Sequence, residues 1–122
     1  MVLWTPTELE SWVRDELDGT LAPDETVLLG TRVIAPTLKR WRDRLVLTDQ
    51  RLIVLHPKLT RPVTETIALS SITDVEVTAK RWAQLTLAGR GTVREEFILG
   101  RDEGQELADT IRAQLGRQKQ AV

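Results

Sequence analysis

Few residues in this chain have side chains that could perform chemistry. There is one histidine, His56, and no cysteine, which excludes disulfides, thiolate metal sites and most zinc or Ser-His chemistry. Ser70 and Ser71 have no base at motif distance, so a turn or capping role is predicted for them. Glu95 and Glu96 are neighbours in a predicted strand, where successive side chains point to opposite faces, and therefore form no acid–base pair.

The glycines offer no phosphate-binding loop either. Gly89-Arg90-Gly91 reads as a hairpin turn, and no Gly-rich spacing follows a strand into a helix. His56 stands next to Pro57 at a strand end and is interpreted as a loop-side hydrogen-bonding residue. Trp82 is interpreted as an anchor at the edge of the core. The sequence predicts no catalytic residue, metal or cofactor, and hence a non-enzymatic protein.

A run of cations with an interleaved tryptophan is the most suggestive chemical feature. Lys39, Arg40, Arg42 and Arg44 surround Trp41, and basic residues beside Trp suit an anionic lipid surface. The alternative is a solvated strand face in which Asp43 pairs with a neighbouring arginine.

Composition limits the class of protein. The chain has 122 residues, within the range of one domain, and 17 Lys and Arg against 18 Asp and Glu give a net charge of -1. This balance argues against nucleic-acid binding, which favours a basic excess. The start, MVLWTPTELE, lacks the features of a signal peptide, and no apolar run approaches the length of a membrane span. We predict a cytoplasmic domain with no evident small-molecule substrate.

Helical patterns flank a region of period two. The first helix is predicted over 6–18, with a capping box from Thr5 to Glu8 and Gly19 at its end; the last is predicted over 102–116, capped by Asp102 and ended by Gly116. Their apolar stripes consist of Leu9, Trp12, Val13 and Leu17, and of Leu107, Ala108, Ile111 and Leu115. Between them, 25–100 reads as seven short strands, at 25–35, 40–48, 51–56, 63–69, 74–80, 83–89 and 92–100.

The segment RLVLTDQRLIVLH, residues 44–56, is apolar on both faces. A two-residue turn at Asp49-Gln50 would pair Leu47 with Leu52 and Leu45 with Val54 on one face, and Val46 with Ile53 beside Leu55 on the other. One face is the core, and the other needs a second cover. That cover is either the N-terminal helix, with Trp12 and Leu9 lying across Val46 and Ile53, or another subunit.

Seven strands followed by one amphipathic helix resemble a pleckstrin-homology (PH) fold. The run Leu47-Thr48-Asp49-Gln50-Arg51-Leu52 is similar to the hairpin signature of bacterial PH domains, especially the YokE-like group, and Leu69, Ile72 and Val75 match the spacing after the fourth strand. The resemblance covers roughly residues 25–116. It implies one domain over 1–122, mainly β with flanking helices: a partly open barrel or sandwich with a C-terminal capping helix and an extra N-terminal helix.

The resemblance also implies where binding occurs. Connections between strands one and two, three and four, and six and seven gather at one end in that fold, and a loose phosphoinositide-binding pattern is matched by Arg32 with Arg42-Asp43-Arg44. The candidate anion- or lipid-binding residues are Arg32, Lys39, Arg40, Trp41, Arg42, Arg44, Lys58, Arg61 and Arg90. The candidate protein-interaction face is Val46, Ile53 and Leu55. Protein interaction or self-association is the favoured function, and docking on the inner, anionic membrane face is the alternative.

Overall fold

The computed structural model describes residues 8–34, 43–57, 62–90 and 94–120, with side chains to 117. Two helices flank seven strands in these ranges. The elements are α1 (Ser11–Asp18), β1 (Val27–Arg32), β2 (Arg44–Thr48), β3 (Arg51–His56), β4 (Val63–Ala68), a 3-10 turn (Leu69–Ser71), β5 (Ile72–Ala79), β6 (Ala83–Gly89), β7 (Arg94–Leu99) and α2 (Arg101–Gln120). The predicted mainly-β architecture is confirmed.

The strands form two antiparallel sheets, in the orders β1-β2-β3-β4 and β5-β6-β7. The predicted hairpin register is correct, since Leu47 pairs with Leu52 and Val46 with Ile53. A backbone hydrogen bond of 2.7 Å from Ile34 N–H to the Ile98 carbonyl joins the end of β1 to β7. The described residues therefore form two packed sheets linked at one corner, without a closed barrel.

The main core lies between the two sheets and α2. Alternate residues of the β2–β3 hairpin, including Leu45, Leu47 and Leu52, pack in one cluster with Phe97 of β7. The predicted stripe of α2 joins them: Leu107, Ala108 and Ile111 are fully buried and Leu115 is partly buried. The alternating apolar residues of the strands and the apolar stripe of α2 therefore pack in the same core.

The outer face of the hairpin is covered by α1. Val46, Ile53 and Leu55 are each 0% exposed and form a second cluster with Leu9, Val13 and Leu17 of the N-terminal segment, against which Trp12 packs. The expectation of an exposed interaction face at these three residues is therefore wrong for this conformation. Of the two covers considered, the structure has the helix.

Helix boundaries differ from the predicted ones. α1 begins at Ser11, and Glu10 at its N-cap position makes no capping hydrogen bond; the predicted cap at Thr5 lies outside the described residues. Gly19 follows α1 as predicted, but with φ of -89° it is not left-handed. α2 begins at Arg101 and runs through Gly116 to Gln120, because one glycine in an exposed helix costs only about 1 kcal/mol and does not stop it.

Candidate functional site: the basic end of the fold

The Thr48-Asp49-Gln50-Arg51 turn is a structural clamp. The Thr48 hydroxyl accepts hydrogen bonds from the backbone N–H groups of Gln50 (3.1 Å) and Arg51 (3.0 Å), which closes the turn without glycine. Asp49 exchanges bonds with Thr26: its N–H donates to the Thr26 carbonyl, and its Oδ1 accepts from the Thr26 N–H, both at 3.0 Å. The hairpin signature thus fastens the turn to the segment before β1.

Glu25 is the centre of that clamp. Its Oε2 accepts from Arg51 Nε at 2.8 Å and from the Thr48 hydroxyl at 2.6 Å, and its Oε1 accepts from Arg51 Nη2 at 2.9 Å and from the Ala22 N–H at 3.1 Å. The hydrogen bond from Arg51 is the largest cause that lowers the pKa of Glu25 to about 2, against the opposing effect of burial. The same bond raises the pKa of Arg51. The buried carboxylate is therefore held ionised.

Arg44, a candidate headgroup ligand, is instead committed to α1. Its Nε donates to Glu10 Oε1 at 2.6 Å, its guanidinium lies 5.8 Å from the Trp12 ring centroid, and its side chain is only 12% exposed. Burial works to raise the pKa of Glu10, but the hydrogen bond from Arg44 and its charge outweigh burial and lower that pKa. Arg44 therefore fixes the helix over the sheet and does not belong to an open anion site.

Among the described residues, the partner that the structure shows for the Asp43 carboxylate is His56; the alternative interpretation expected a neighbouring arginine. His56, the last residue of β3, lies between two carboxylates: Nδ1 is 2.9 Å from Asp43 Oδ2 and Nε2 is 3.3 Å from Glu65 Oε2. Asp43 and His56 are largely buried, whereas Glu65 is exposed. The trio connects the start of β2 to the end of β3 and to β4, which is a structural role.

Arg90 lies at the opposite end of the fold from Arg32 and Arg44, the other candidate cations that the structure describes. Its backbone N–H donates to the Ser71 carbonyl at 3.1 Å, just beyond Ala68, which pairs with Arg51 beside the Asp49-Gln50 turn. Arg32 pairs with Arg44 at the other end of this sheet and is exposed. The expected grouping of Arg90 with Arg32 is therefore wrong. Because β6 runs antiparallel to β5, its end at Gly89 lies beside the start of β5, near the Asp49-Gln50 turn.

Six of the predicted site residues lie outside the described residues: Lys39, Arg40, Trp41, Arg42, Lys58 and Arg61. The strand ends that flank them are described. β1 ends at Arg32 and β2 begins at Arg44 on one side, and β3 ends at His56 and β4 begins at Val63 on the other. Both connections therefore leave from the same end of the first sheet.

The β5–β6 turn, Lys80-Arg81-Trp82, belongs to this same end. The turn lines a concavity of about 580 Å³ together with Ile34, which directly precedes the connection 35–42. Trp82 is 49% exposed, so its interpretation as an edge-of-core anchor is wrong. The sequence contained a signal for this site, since Lys-Arg-Trp occurs twice, at 39–41 and at 80–82.

We call the strand ends Arg32, Arg44, His56 and Val63, with the turn 80–82, the basic end. The sequence segments that connect strands there, 35–42, 57–62 and 80–82, contain seven cations, two tryptophans and no acidic residue. The cations are Lys39, Arg40, Arg42, Lys58, Arg61, Lys80 and Arg81. Seven of the 17 Lys and Arg residues of the chain thus fall in these three sequence segments, although the net charge of the chain is only -1.

Other chemistry finds little support in the described residues. No group of three His, Asp or Glu side chains there could hold a metal ion. The Ser71 hydroxyl donates to the Ala68 carbonyl at 2.7 Å, which is the turn role predicted for it. No helix of the described ranges is long and apolar enough to cross a bilayer.

Comparison with known proteins agrees with this architecture. Residues 21–112 match the model of the bacterial PH domain family, whereas a search of curated proteins finds no significant relative. A DUF1696 family protein with a pleckstrin-homology domain from Shewanella loihica PV-4 superposes with a TM-score of 0.67 at 23% identity, covering 84% of this chain and 90% of its own. The Vps36 N-terminal PH domain gives 0.66 at 17% identity, covering 80% and 83%.

At these identities the two structures show a shared fold. The family match adds descent, since it spans most of the chain and includes the Thr48–Arg51 clamp. PH domains are generally binding modules without catalytic activity and commonly mediate protein or lipid interactions. This chain belongs to the bacterial PH domain family.

Proposed function

We propose that the protein is a binding module that docks its basic end on anionic membrane surfaces. The observation that carries this proposal is the charge of the three connections at that end: seven cations and two tryptophans without an acidic residue. Each Lys or Arg near an anionic bilayer contributes about 1 kcal/mol. Tryptophan prefers the interface between water and hydrocarbon, and Trp82 is half exposed at this end.

The site differs from the one expected from sequence. Arg44 and Arg90 are not part of the proposed membrane-binding site. Arg44 is paired with Glu10, and Arg90 lies at the other end of the fold, near the Asp49-Gln50 turn. Lys80, Arg81 and Trp82 join the site. Arg32 and the six residues outside the described ranges stay in the proposal.

The test is flotation of the purified protein with liposomes, either neutral or containing anionic lipid. We expect flotation only with anionic lipid. The double variant Lys80→Glu/Arg81→Glu should lower the binding constant by roughly 30-fold or more, which is the loss of two contributions of about 1 kcal/mol each.

The matched control carries the same change of net charge at the other end. Arg90 and Arg94 are exposed and lie beside the β6–β7 connection, so Arg90→Glu/Arg94→Glu should leave flotation close to that of the wild type. Equal losses in both double variants would mean that only net charge matters, and no flotation of the wild type would end the membrane proposal.

Protein interaction or self-association, the function that the sequence favours, is supported by one specific observation. In the described residues β4 pairs only with β3, so its other edge offers unpaired backbone groups beside Val63, which is 45% exposed. A second copy would add antiparallel to this edge. Light scattering at micromolar concentration should then detect a dimer that Thr66→Pro abolishes; a monomer at all concentrations removes this candidate.

We also propose that the chain is one domain over 1–122 of the YokE-like group, located in the cytoplasm at the inner membrane face. The subgroup rests on the run Leu47–Leu52. Limited proteolysis should leave a fragment that contains both helices, and cell fractionation should find the protein in the soluble and inner-membrane fractions.

A further inference from the structure

The floor of the concavity beside Trp82 contains two apolar side chains, Ile34 and Ile98, next to the polar Thr78 and Gln84. Thr78, Gln84 and Ile98 are cross-strand neighbours on the second sheet. They lie on the face turned away from the core, because the adjacent row of Val77, Leu85 and Phe97 packs inward. Ile34, bonded to the Ile98 carbonyl, extends the floor beyond β7.

One wall is aromatic and cationic. Trp82 closes the concavity at the β5–β6 turn, and the Arg81 guanidinium lies 5.8 Å from its ring centroid. Lys80 completes this wall. A volume of about 580 Å³ falls within the range of sites for small ligands, roughly 300–1,000 Å³.

The charges around the concavity differ between its two sides. Among the described residues that line the concavity there are two cations, Lys80 and Arg81, and no acid. The next row of the same sheet face, Glu76, Thr86 and Glu96, is acidic on both sides. An anionic group is therefore attracted to Lys80 and Arg81 at the β5–β6 turn and repelled by the row that contains Glu76 and Glu96. An apolar group can contact Ile34, Ile98 and the indole ring of Trp82.

We propose that this concavity binds one anionic single-chain lipid, with its phosphate head at Lys80 and Arg81 and its chain over Ile34 and Ile98. The inference rests on the proposed membrane function and adds a ligand to it. The basic end docks on the bilayer as a whole, and the concavity takes one lipid molecule out of that surface. A peptide with an apolar side chain is the competing occupant that the test distinguishes.

The test uses decyl phosphate below its micellar concentration, so that binding to a single amphiphile is separated from binding to a surface. The protein has six isoleucines, including Ile34, Ile98, Ile53 and Ile111. In spectra of isoleucine methyl groups, we expect saturable shifts of Ile34 and Ile98 and none of the buried Ile53 and Ile111. Decyl glucoside, which lacks the charge, and butyl phosphate, which lacks the chain, should each bind at least ten-fold more weakly.

Two tryptophan substitutions make the site specific. Thr78→Trp fills the floor without changing charge and should abolish the decyl phosphate shifts, whereas Thr86→Trp, one row away on the same face, should leave them unchanged. Thr78→Trp should still float with anionic vesicles, because the cations remain.

The outcomes separate the two proposals. Wild-type flotation on anionic vesicles without shifts of Ile34 and Ile98 overturns the lipid site and leaves membrane docking standing. Shifts of equal size with decyl glucoside also overturn it, since an apolar group alone would then suffice, as for a peptide side chain. Loss of both flotation and shifts overturns both.

Discussion

At the scale of single residues, the hairpin motif over Leu47–Leu52, which resembles bacterial PH domains, has a structural function. Thr48 and Arg51 are three positions apart in the hairpin and both bind Glu25. The hairpin and its register follow from the alternation of apolar residues around Asp49-Gln50. Glu25, however, is 26 residues before Arg51, and no periodicity connects the two. Its role as the partner of the motif could not be predicted from sequence.

Replacing Glu25 should therefore destabilise the fold. The carboxylate side chain is 0% exposed and its pKa is about 2, so Glu25→Gln should lower the free energy of unfolding at pH 7 by about 2–3 kcal/mol. Urea denaturation measures this. The control is Asp24→Asn, whose carboxylate makes one exposed bond of 3.4 Å, and which should change stability by less than about 0.5 kcal/mol.

The same pair predicts a pH dependence. The pKa of Glu25 is about 2 in the folded state and 4.5 without interactions, so the folded state favours the ionised form. Its stabilisation is complete above pH 4.5 and is lost as the pH falls toward 2. The wild type should lose stability across this window more steeply than Glu25→Gln. Parallel curves for the two proteins would show that another carboxylate dominates acid unfolding.

At the scale of elements, apolar residues on both faces of the β2–β3 hairpin predict a second cover, and the stripe of Leu9, Val13 and Leu17 makes α1 a candidate. Sequence could not choose between α1 and another subunit, because both bury the same residues. The contact that decides is long-range: Arg44 on β2 donates to Glu10 next to α1.

Loosening α1 should uncover the hairpin. Val13 is 0% exposed beneath α1, and Val13→Asp places an uncompensated charge there, which costs about 3 kcal/mol or more. We expect lower stability in urea and stronger binding of a hydrophobic dye to Val46, Ile53 and Leu55. Arg14→Asp puts the same side chain on the exposed neighbour and should leave both nearly unchanged. Equal behaviour of the two variants would show that α1 is not the cover.

The two glycines of α2 should respond oppositely to alanine. A Cβ at Gly104 would collide with the Cβ of Ala83 on β6, whereas one at Gly116 meets nothing within 4 Å. Gly104→Ala should thus destabilise by about 1–3 kcal/mol despite the better helix propensity of alanine. Gly116→Ala should stabilise by about 0.5–1 kcal/mol. Thermal unfolding of both compares them, and stabilisation by Gly104→Ala would mean that α2 is not held this close to β6.

At the scale of the whole molecule, the sequence predicts the basic connections but not their neighbours. Lys39 to Arg42 are visible as a run, whereas Lys80 to Trp82 join them only because β5 runs back to the end where Ile34 lies. The same antiparallel order puts Arg90 near Ser71, at the end of the Asp49-Gln50 turn, where the sequence alone does not predict it. Which turns share an end depends on the order and direction of strands across two sheets, and local patterns do not contain that information.

The two components of docking should separate with salt. Attraction between the cations and anionic lipid is screened as the Debye length falls from about 30 Å at 0.01 M salt to about 3 Å at 1 M, whereas insertion of an indole ring is not. Vesicle affinity should therefore fall steeply with salt, by at least ten-fold, and Trp82→Ala should lower it by a similar factor at every salt concentration. Lys80→Glu/Arg81→Glu should lower it most at low salt. Because net charge is only -1, a protein without a basic end would bind weakly throughout, and a flat salt profile would contradict docking by charge.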